Sequence, residues 1–468
     1  MSAREHFTKE RYDMKRLLVL LAVGCTACAA GNPTPAGPDS VASKPRPSPS
    51  PTPYPTPYPK HQEIQTYTLL HIWYSPIPTT YPTDGEWPAW WLRWIWPPHT
   101  DDPYKTFSGA PWLREISSQA YPLTGPYDSR NEDILRWQIR QAKAAGLDGF
   151  FVPVYSWDEK LGYLDDVFFG NEAQGREGLL RLAAEADFKV AIEGWGVFND
   201  FDRKADPWKE AIARHLAAIE ASPYKNAYIR IADRPAYWIH LPDGWMSRRE
   251  LLEFLDGTDE HPRRVSWVMR PSPKSTVMNI NALLHNARLQ FISWYDDPTT
   301  EGFRFNQNFA GDLNDIRVNY ADIGMVPIAH AYTGYDERMG EDQRATQRFG
   351  ERSIIPTFLE DSRRAGARII LTESFNEWGE GSQIEAGLNV AQWRNMGQER
   401  DLYLDAQGAV APYKYLDIFR TFNGMQEWVP PEPPPCSALD PLMVQLHQTT
   451  DLPKEVRCIA GTTDTDRR

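Results

Sequence analysis

The feature that most constrains the fold is a repeated alternation of short apolar runs with helical patterns between Tyr67 and Thr421. The runs are continuously apolar, as expected for parallel strands buried on both faces. Eight such units favour an α/β fold of the TIM type, a (β/α)8 barrel, over an open doubly wound sheet. The predicted strands are Tyr67–Tyr74, Gly149–Val154, Phe188–Glu193, Ala227–Ile231 (with Ala236–His240 as its candidate pairing partner), Arg264–Met269, Leu289–Tyr295, Val326–Ala331 and Ala367–Thr372.

The helical segments between these runs are best defined after the first of them. Asn131 is a residue type favoured at helix N-caps, and Gly146 is one favoured just beyond the last turn. Between them, Ile134, Leu135 and Ile139 recur on one side. This spacing predicts an amphipathic helix that packs on the sheet.

The N-terminal residues have the form of a secretion signal. Met14–Arg16 is a charged start and Leu17–Val23 a short apolar run, well below the roughly 20 residues of a transmembrane helix. The run ends at Gly24-Cys25, which resembles a bacterial lipobox. We therefore expect a lipid anchor on Cys25, with ordinary secretion as the alternative. Translation from Met14 is an alternative to translation from Met1.

Composition divides the chain into four parts. We predict a leader at 1–28, a disordered Pro/Ser/Thr-rich linker at 29–62, a single (β/α)8 domain at 63–428 and a C-terminal tail at 429–468. The linker has too few apolar groups to offset its ordering entropy, and its prolines extend it at ~3.1 Å per residue. In an oxidising compartment, Cys436 and Cys458 of the tail could form one disulfide.

Composition also excludes several classes of function. The net charge of −13 argues against a nucleic-acid partner, which needs a basic surface. No His/Cys/Asp cluster has metal-ligand spacing and no G-x-S-x-G motif is present, so we expect no metal, no cofactor and no serine-hydrolase triad. The 18 tryptophans favour a glycan partner, since flat aromatic faces suit sugar rings. Membrane contact is expected only through the lipid anchor.

Aromatic residues and carboxylates are concentrated at the predicted strand ends, where the active sites of such barrels lie. In cleavage of a glycosidic bond, one carboxylic acid protonates the leaving oxygen and a second acts as base or nucleophile. The strand-end residues are Trp73, Tyr74, Tyr155, Trp157, Glu193, Trp195, Trp294, Tyr295, Asp296, Tyr332, Tyr335, Asp336, Glu373, Asn376, Glu377 and Glu380.

Four glutamates fall within the thirteen residues Glu373–Glu385, which follow the last strand. A charged, solvated turn would have the same composition. However, Phe375, Trp378 and Ile384 interleave with the acids, and a solvated turn would not need them. The segment is therefore predicted to be the catalytic site.

The same segment resembles a signature of glycoside hydrolase family 99, the endo-α-mannosidases, and of related family 71 hydrolases. That signature is S-F-N-E-W-H-E-G-T-Q-I-E, and it matches Ser374–Glu385. Weaker matches are Gly125–Arg130 to G-P-Y-S-S-R, Tyr332–Asp336 to a G-Y-D element, and Trp90–Trp94 to a tryptophan loop beside the substrate. The resemblance covers about Tyr67 to Thr421.

The resemblance implies a retaining, endo-acting α-mannosidase or a close relative. Glu377 would act as base on the sugar's own 2-hydroxyl, giving an epoxide-like intermediate, and Glu380 as general acid and then base. Gly379 stands where the family has His, Ala191 where relatives carry another His, and Glu373 adds a carboxylate; these departures bear on which sugar is bound. The expected substrate contacts are Asn376, Tyr74, Tyr295, Trp294, Tyr335, Asp336, Glu193 and Trp94.

Two alternatives stay open. The first is a hydrolase of the same architecture that cuts an α-glucan or a bacterial exopolysaccharide, since fold does not fix function. The second is a surface glycan-binding protein that has lost turnover, although a binder would not need both Glu377 and Glu380. The tryptophans Trp90, Trp91, Trp94 and Trp96 are expected either to touch substrate or to pack as a loop on the barrel mouth.

Overall fold

The computed structural model describes residues 63–74, 91, 106–107, 109–114, 116, 118, 120–154, 163–194, 207–231, 233–240, 266–270, 289–293, 309–319, 326–334, 354–390, 402–425, 429–448, 452 and 454–459. All of them belong to one compact unit, Tyr54–Arg468. The predicted leader and linker lie outside the described residues, so the lipid anchor stays a prediction. Within the described part, no helix is long and apolar enough to cross a membrane.

The described elements alternate strands and helices along the chain. The strands are β1 Gln65–Leu69, β2 Thr106–Phe107, β3 Ala110–Arg114, β4 Ala120–Pro122, β5 Gly149–Pro153, β6 Lys189–Gly194, β7 Arg230–Ile231, β8 Arg234–His240, β9 Ser266–Arg270, β10 Leu289–Ser293, β11 Val326–Tyr332, β12 Ile369–Glu373 and β13 Gly387–Asn389. The helices are α1 Glu132–Ala144, α2 Tyr163–Phe169, α3 Leu179–Glu185, α4 Pro207–Ala221, α5 Phe309–Asn319, α6 Ile354–Arg364, α7 Lys414–Phe422 and α8 Pro441–Gln448.

The main sheet is barrel-like and its long strands are parallel. Its order is β6-β5-β1-β12-β11-β10-β9-β8-β7, and β6 also pairs with β8 in parallel, which joins the two sides of the sheet. The first and last long strands are neighbours, with Gln65 opposite Ile369 and Thr68 opposite Thr372. The complete (β/α)8 alternation stays a prediction, because the links after β8 and after β9 lie outside the described residues.

The sequence pattern explains why these segments form strands and helices. The strand β5 is buried along its whole length, as a strand packed on both faces must be. Helix α1 begins where predicted, with the side chain of Asn131 accepting a hydrogen bond from the Asp133 N–H at 3.0 Å. It ends before Gly146, whose φ of 73° is a left-handed conformation that favours glycine.

Two strand predictions need correction. The first strand ends at Leu69, not at Tyr74, because the chain from His71 onward is bonded to side chains instead of to neighbouring strands. The fourth long strand is β8. The predicted Ala227–Ile231 contributes the two-residue strand β7, which pairs antiparallel with β8, and a single parallel bridge from Tyr228 to Val190 of β6. The run Ala236–Trp238 is fully buried while Arg230 is exposed, so burial favours β8 as the interior strand.

The C-terminal tail packs against the segment that precedes α1. Buried Met443 and Leu446 of α8 join the main core, and helix α8 contacts strand β3. Arg114 and Asp440 form a buried ion pair with an Nε–Oδ2 distance of 2.7 Å. Cys436 and Cys458 form a disulfide with their Cα atoms 4.9 Å apart. The tail is therefore folded onto the same compact unit as the sheet.

Replacing both cysteines, Cys436→Ser and Cys458→Ser, is expected to lower the free energy of unfolding by about 2–4 kcal/mol, because the cross-link restricts the unfolded chain. Denaturant unfolding followed by fluorescence measures this change. Reduction of the wild-type protein should lower the midpoint similarly, whereas an unchanged midpoint in the double variant would contradict the assignment.

Candidate active site

The segment Glu373–Glu385, which we call the acidic turn, leaves the carboxyl end of β12 and folds back on itself. The N–H of Ser374 donates to the carbonyl of Ser382 at 3.2 Å, and their hydroxyls lie 2.9 Å apart. The N–H of Ile384 donates to the carbonyl of Phe375 at 2.9 Å. Gly381, with a φ of 67°, provides the left-handed conformation of the bend. The turn is thus a closed loop held by its own main chain.

The acidic turn is buried, so it is not a solvated surface turn. Phe375, Trp378 and Ile384 are at most 1% exposed, and they anchor the turn in the core. Glu377 is 8% exposed and Glu385 is fully buried, while Glu380 is intermediate. Burying carboxyl groups costs free energy unless each finds partners. The hydrogen-bond partners of these acids therefore determine where each carboxyl group is held.

Asn376 connects the acidic turn to the end of the first strand. Its side-chain oxygen accepts the N–H of His71 at 2.7 Å, and its amide nitrogen donates to the carbonyl of His71 at 2.8 Å. The amide nitrogen also donates to the Tyr127 hydroxyl at 2.9 Å. Asn376 is fully buried, and both ends of its amide are bonded to protein. The structure therefore gives it a positioning role, and its predicted contact with substrate stays a prediction.

Tyr74 also holds the acidic turn in place, through its side-chain hydroxyl. Its hydroxyl donates to the carbonyl of Asn376 at 2.9 Å and accepts the N–H of Trp378 at 3.1 Å. Burial raises the pKa of Tyr74 well above its usual value, and the nearby Glu377 raises it further. The ring stacks on Trp91 with centroids 4.2 Å apart, and the indole N–H of Trp91 donates to the carbonyl of Tyr127 at 2.8 Å. For Trp91, the structure fits the packed-loop alternative.

Glu385 is the centre of a buried network that joins the acidic turn to helix α1. One carboxylate oxygen accepts from Gln138 at 2.8 Å, and the other accepts from Tyr127 at 2.8 Å and from the Trp378 indole at 3.1 Å. Burial raises the pKa of Glu385 to about 7, although these three donors act in the opposite direction. Its carbonyl also accepts the Tyr403 hydroxyl at 2.7 Å.

Two histidines lie beside the acids at the strand ends. Nε2 of His330, on β11, lies 2.8 Å from a carboxylate oxygen of Glu373, and both side chains are buried. Nε2 of His71 lies 3.8 Å from Oε2 of Glu377. The other oxygen of Glu377 accepts the N–H of Gly379 at 3.1 Å. Burial lowers the pKa of His71 to about 3, against the opposing effect of Glu373, so this imidazole is neutral at ordinary pH.

Of the other predicted substrate contacts, the structure describes Glu193, and five lie outside the described residues. Glu193 is fully buried at the carboxyl end of β6, beside Pro153 and Trp238 of the neighbouring strands. Among the described residues, no group of three or more His, Cys, Asp or Glu side chains is arranged to hold a metal ion. The predicted contacts that lie outside the described residues are Trp94, Trp294, Tyr295, Tyr335 and Asp336.

Sequence reasoning missed the residues that hold the site together. No pattern in the sequence links a histidine to the site, yet the buried side chains of His71 and His330 lie beside Glu377 and Glu373. Gln138 and Gln141 fall on the buried face of α1, and a polar residue on an apolar stripe is a detectable signal of a buried network. His71 interrupts the apolar run before Ile72 in the same way.

Comparison with known proteins supports the fold. A scan against protein-family models finds no match, and a search of curated proteins finds none either. The glycoside hydrolase family 99 endo-alpha-mannosidase from Bacteroides thetaiotaomicron matches with a TM-score of 0.54 and 18% identity, over 78% of this chain and 99% of that one. A structure of the family 99 endo-alpha-mannosidase from that organism with bis-tris-propane gives 0.53 and 18%, over 76% and 96%. At this identity, the similarity establishes the fold.

Glu385 predicts a dependence of stability on pH. Because its pKa is raised from 4.5 to about 7 in the folded protein, its contribution is fully present below pH 4.5 and is lost as pH rises through about 7. Glu385→Gln should therefore have a smaller loss of Tm between pH 5 and pH 8 than the wild type. Its Tm should be lower at pH 5, since an amide cannot accept all three donors.

The matched control is Glu432→Gln, because Glu432 is exposed. It should keep the wild-type dependence of Tm on pH. The same dependence in Glu385→Gln as in the wild type would show that this carboxyl does not titrate in that range.

Proposed function

We propose that this protein is a glycoside hydrolase that cleaves α-mannosidic or related α-glycosidic linkages within a glycan, with retention of configuration. The observation that carries the proposal is the acidic turn itself. It holds Glu377 buried at the carboxyl end of a barrel-like sheet, with the Gly379 N–H bonded to one carboxylate oxygen and the His71 ring beside the other, on a fold similar to a family 99 endo-alpha-mannosidase. Active sites lie at this end in barrel enzymes, and glycosidic cleavage requires a carboxyl pair.

The proposed reaction assigns one role to each acid. Glu377 takes the proton of the sugar's 2-hydroxyl, whose oxygen attacks C1 and forms an epoxide-like intermediate. Glu380 gives its proton to the leaving oxygen as the C1–O bond breaks. Glu380 then removes a proton from water and the water oxygen attacks C1. The bond between C1 and the 2-oxygen breaks, and the 2-oxygen regains its proton from Glu377. Two inversions at C1 give net retention, and both acids return to their starting states.

The environment of Glu377 supports its role as the base. The Gly379 N–H points at one carboxylate oxygen and His71 lies beside the other, and donors favour the charged form of a carboxylate. Glu380 is half-buried, which suits an acid that must reach a bound glycan and exchange protons with water.

The substrate-binding surface belongs to the same proposal. Sugar rings would stack on aromatic residues at the strand ends and bond to the flanking acids. Glu193, on β6, lies three strands from β12 in the sheet order. This position supports a contact with a part of the glycan away from the acidic turn. The proposed contacts are Asn376, Tyr74, Tyr295, Trp294, Tyr335, Asp336, Glu193 and Trp94.

Export completes the proposal. We infer that the enzyme crosses the membrane by its N-terminal leader and is held outside by a lipid on Cys25, with the linker as spacer and a complete (β/α)8 barrel as the working part. The Cys436–Cys458 disulfide supports export, because disulfides persist in oxidising compartments.

Glu377→Gln and Glu380→Gln are each expected to lower hydrolysis by about 10²-fold or more, since each removes a proton-transfer group. The measurement is release of sugar by the full chain from a panel of α-mannans, α-glucans and mixed bacterial polysaccharides. Glu432→Gln, an exposed change, should keep wild-type activity.

The panel also separates the alternatives. Cleavage of an α-glucan in preference to α-mannan would keep the acid pair but exclude the epoxide-like intermediate, because the 2-hydroxyl of an α-glucoside lies on the same face of the ring as the leaving oxygen. Preference for an exopolysaccharide would move the specificity away from mannan while keeping the acid pair. Binding of a glycan equally well by all variants, with no cleavage by any, would replace the hydrolase with a glycan-binding protein.

A further inference from the structure

Among the described residues outside the acidic turn, His71 has its ring beside the carboxylate of Glu377, a proposed catalytic acid. It follows β1, is buried, and its ring stacks on Trp73 with centroids 4.0 Å apart. Its main chain is fixed by both ends of the Asn376 amide, so the ring has a defined position. From there, Nε2 lies 3.8 Å from Oε2 of Glu377. This distance exceeds that of a hydrogen bond, so the contact acts through charge and dipole.

The neutral imidazole of His71 carries one proton on its ring nitrogens, and the surrounding groups determine whether it is on Nδ1 or on Nε2. Burial lowers the pKa of His71 to about 3, so the ring is neutral near pH 7. Nδ1 is buried and has no hydrogen-bond partner in the described part of the chain. A proton on Nδ1 would bury an unpaired donor and turn the Nε2 lone pair toward a carboxylate. A proton on Nε2 leaves only an acceptor unpaired, and it points the positive end of the N–H toward Glu377.

The other titratable groups near the contact between His71 and Glu377 are Glu373 and Tyr74, and each is hydrogen-bonded to a different partner. Glu373 acts on His71 from the end of β12, but one of its oxygens is already bonded to His330 at 2.8 Å. The Tyr74 hydroxyl, close to Glu377, donates to the carbonyl of Asn376 at 2.9 Å. Glu377 therefore has a main-chain N–H at one oxygen and the imidazole at the other.

We infer that His71, as the neutral tautomer protonated on Nε2, is a positioning residue that keeps Glu377 ionised and so assigns it the role of base. A pair of carboxyl groups in one site needs different environments to divide the roles of acid and base. His71 supplies that difference on the side of Glu377. The inference rests on the proposed function, because it concerns the same acid.

The test compares three substitutions that differ in where they can donate. His71→Phe keeps a flat ring but has no donor. In His71→Asn the amide nitrogen replaces Nδ1, and in His71→Gln it replaces Nε2. The Asn376 bonds to the main chain of residue 71 remain available in all three, and Tm identifies any variant that does not fold.

The measured quantity is the pH–rate profile of kcat/KM on the glycan that the wild type cleaves. In His71→Phe and His71→Asn the acidic limb should move up by about one pH unit, because the N–H dipole directed at the charged form of the base is lost. In His71→Gln it should stay within a few tenths of a unit of the wild type. The alkaline limb should not move in any variant. An unmoved acidic limb in folded His71→Phe would overturn the inference.

A second measurement does not depend on activity. In protein with ¹⁵N-labelled histidine, the His71 signals are those lost in His71→Gln. They should show a neutral ring protonated on Nε2 between pH 5 and pH 8, and the Nε2 shift should change in Glu377→Gln. A ring protonated on Nδ1, or an imidazolium at pH 7, would overturn the inference even if hydrolysis is observed. The expected tautomer in a protein that cleaves no glycan would instead place the failure on the proposed function.

Discussion

The two hydrogen bonds between the side chain of Asn376 and the main chain of His71 are the contact on which the site depends. The Asn376 amide bonds to the N–H and the carbonyl of His71 as a neighbouring strand would, just beyond Leu69, where the strand pairing of β1 ends. These two bonds fix the position of the acidic turn relative to the residues that follow β1. The positions of His71 and Glu377 relative to each other follow from this clamp. A residue that offers both a donor and an acceptor on one planar group is required there.

The second constraint is the free-energy cost of burying several carboxyl groups close together. Hydrogen bonds to different partners offset this cost for each group. Glu385 lies deepest and is surrounded by Gln138, Tyr127 and Trp378, which makes it a structural link between the turn and α1. Glu373 is bonded to a histidine on the neighbouring strand. Glu377 has the Gly379 N–H at one carboxylate oxygen and the His71 ring 3.8 Å from the other, and its side chain retains some exposure. The hydrogen bonds of Glu385 and Glu373 therefore fix the turn, while Glu377 lies on its partly exposed side.

The sequence predicted the elements well where burial alone decides them. Continuous apolar runs located the long strands, and Asn131 and Gly146 located the first helix, because these signals are local. The fourth strand was assigned to the wrong half of a hairpin, since both halves are apolar. The network around Glu385 was not foreseen, because Gln138 and Glu385 are 247 residues apart and only the closed fold brings them together. Glu377 was found through its motif, whereas the neutral His71 beside it has no motif.

The central claim is that the acidic turn cleaves a glycosidic bond through participation of the sugar's own 2-hydroxyl. The most direct measurement is the configuration of the first product, followed by proton NMR during hydrolysis of an α-linked glycan before mutarotation. The account predicts that the α-anomer forms first and the β-anomer appears only as equilibrium is reached. Initial formation of the β-anomer would show a single inversion at C1 and would contradict the roles proposed for Glu377 and Glu380.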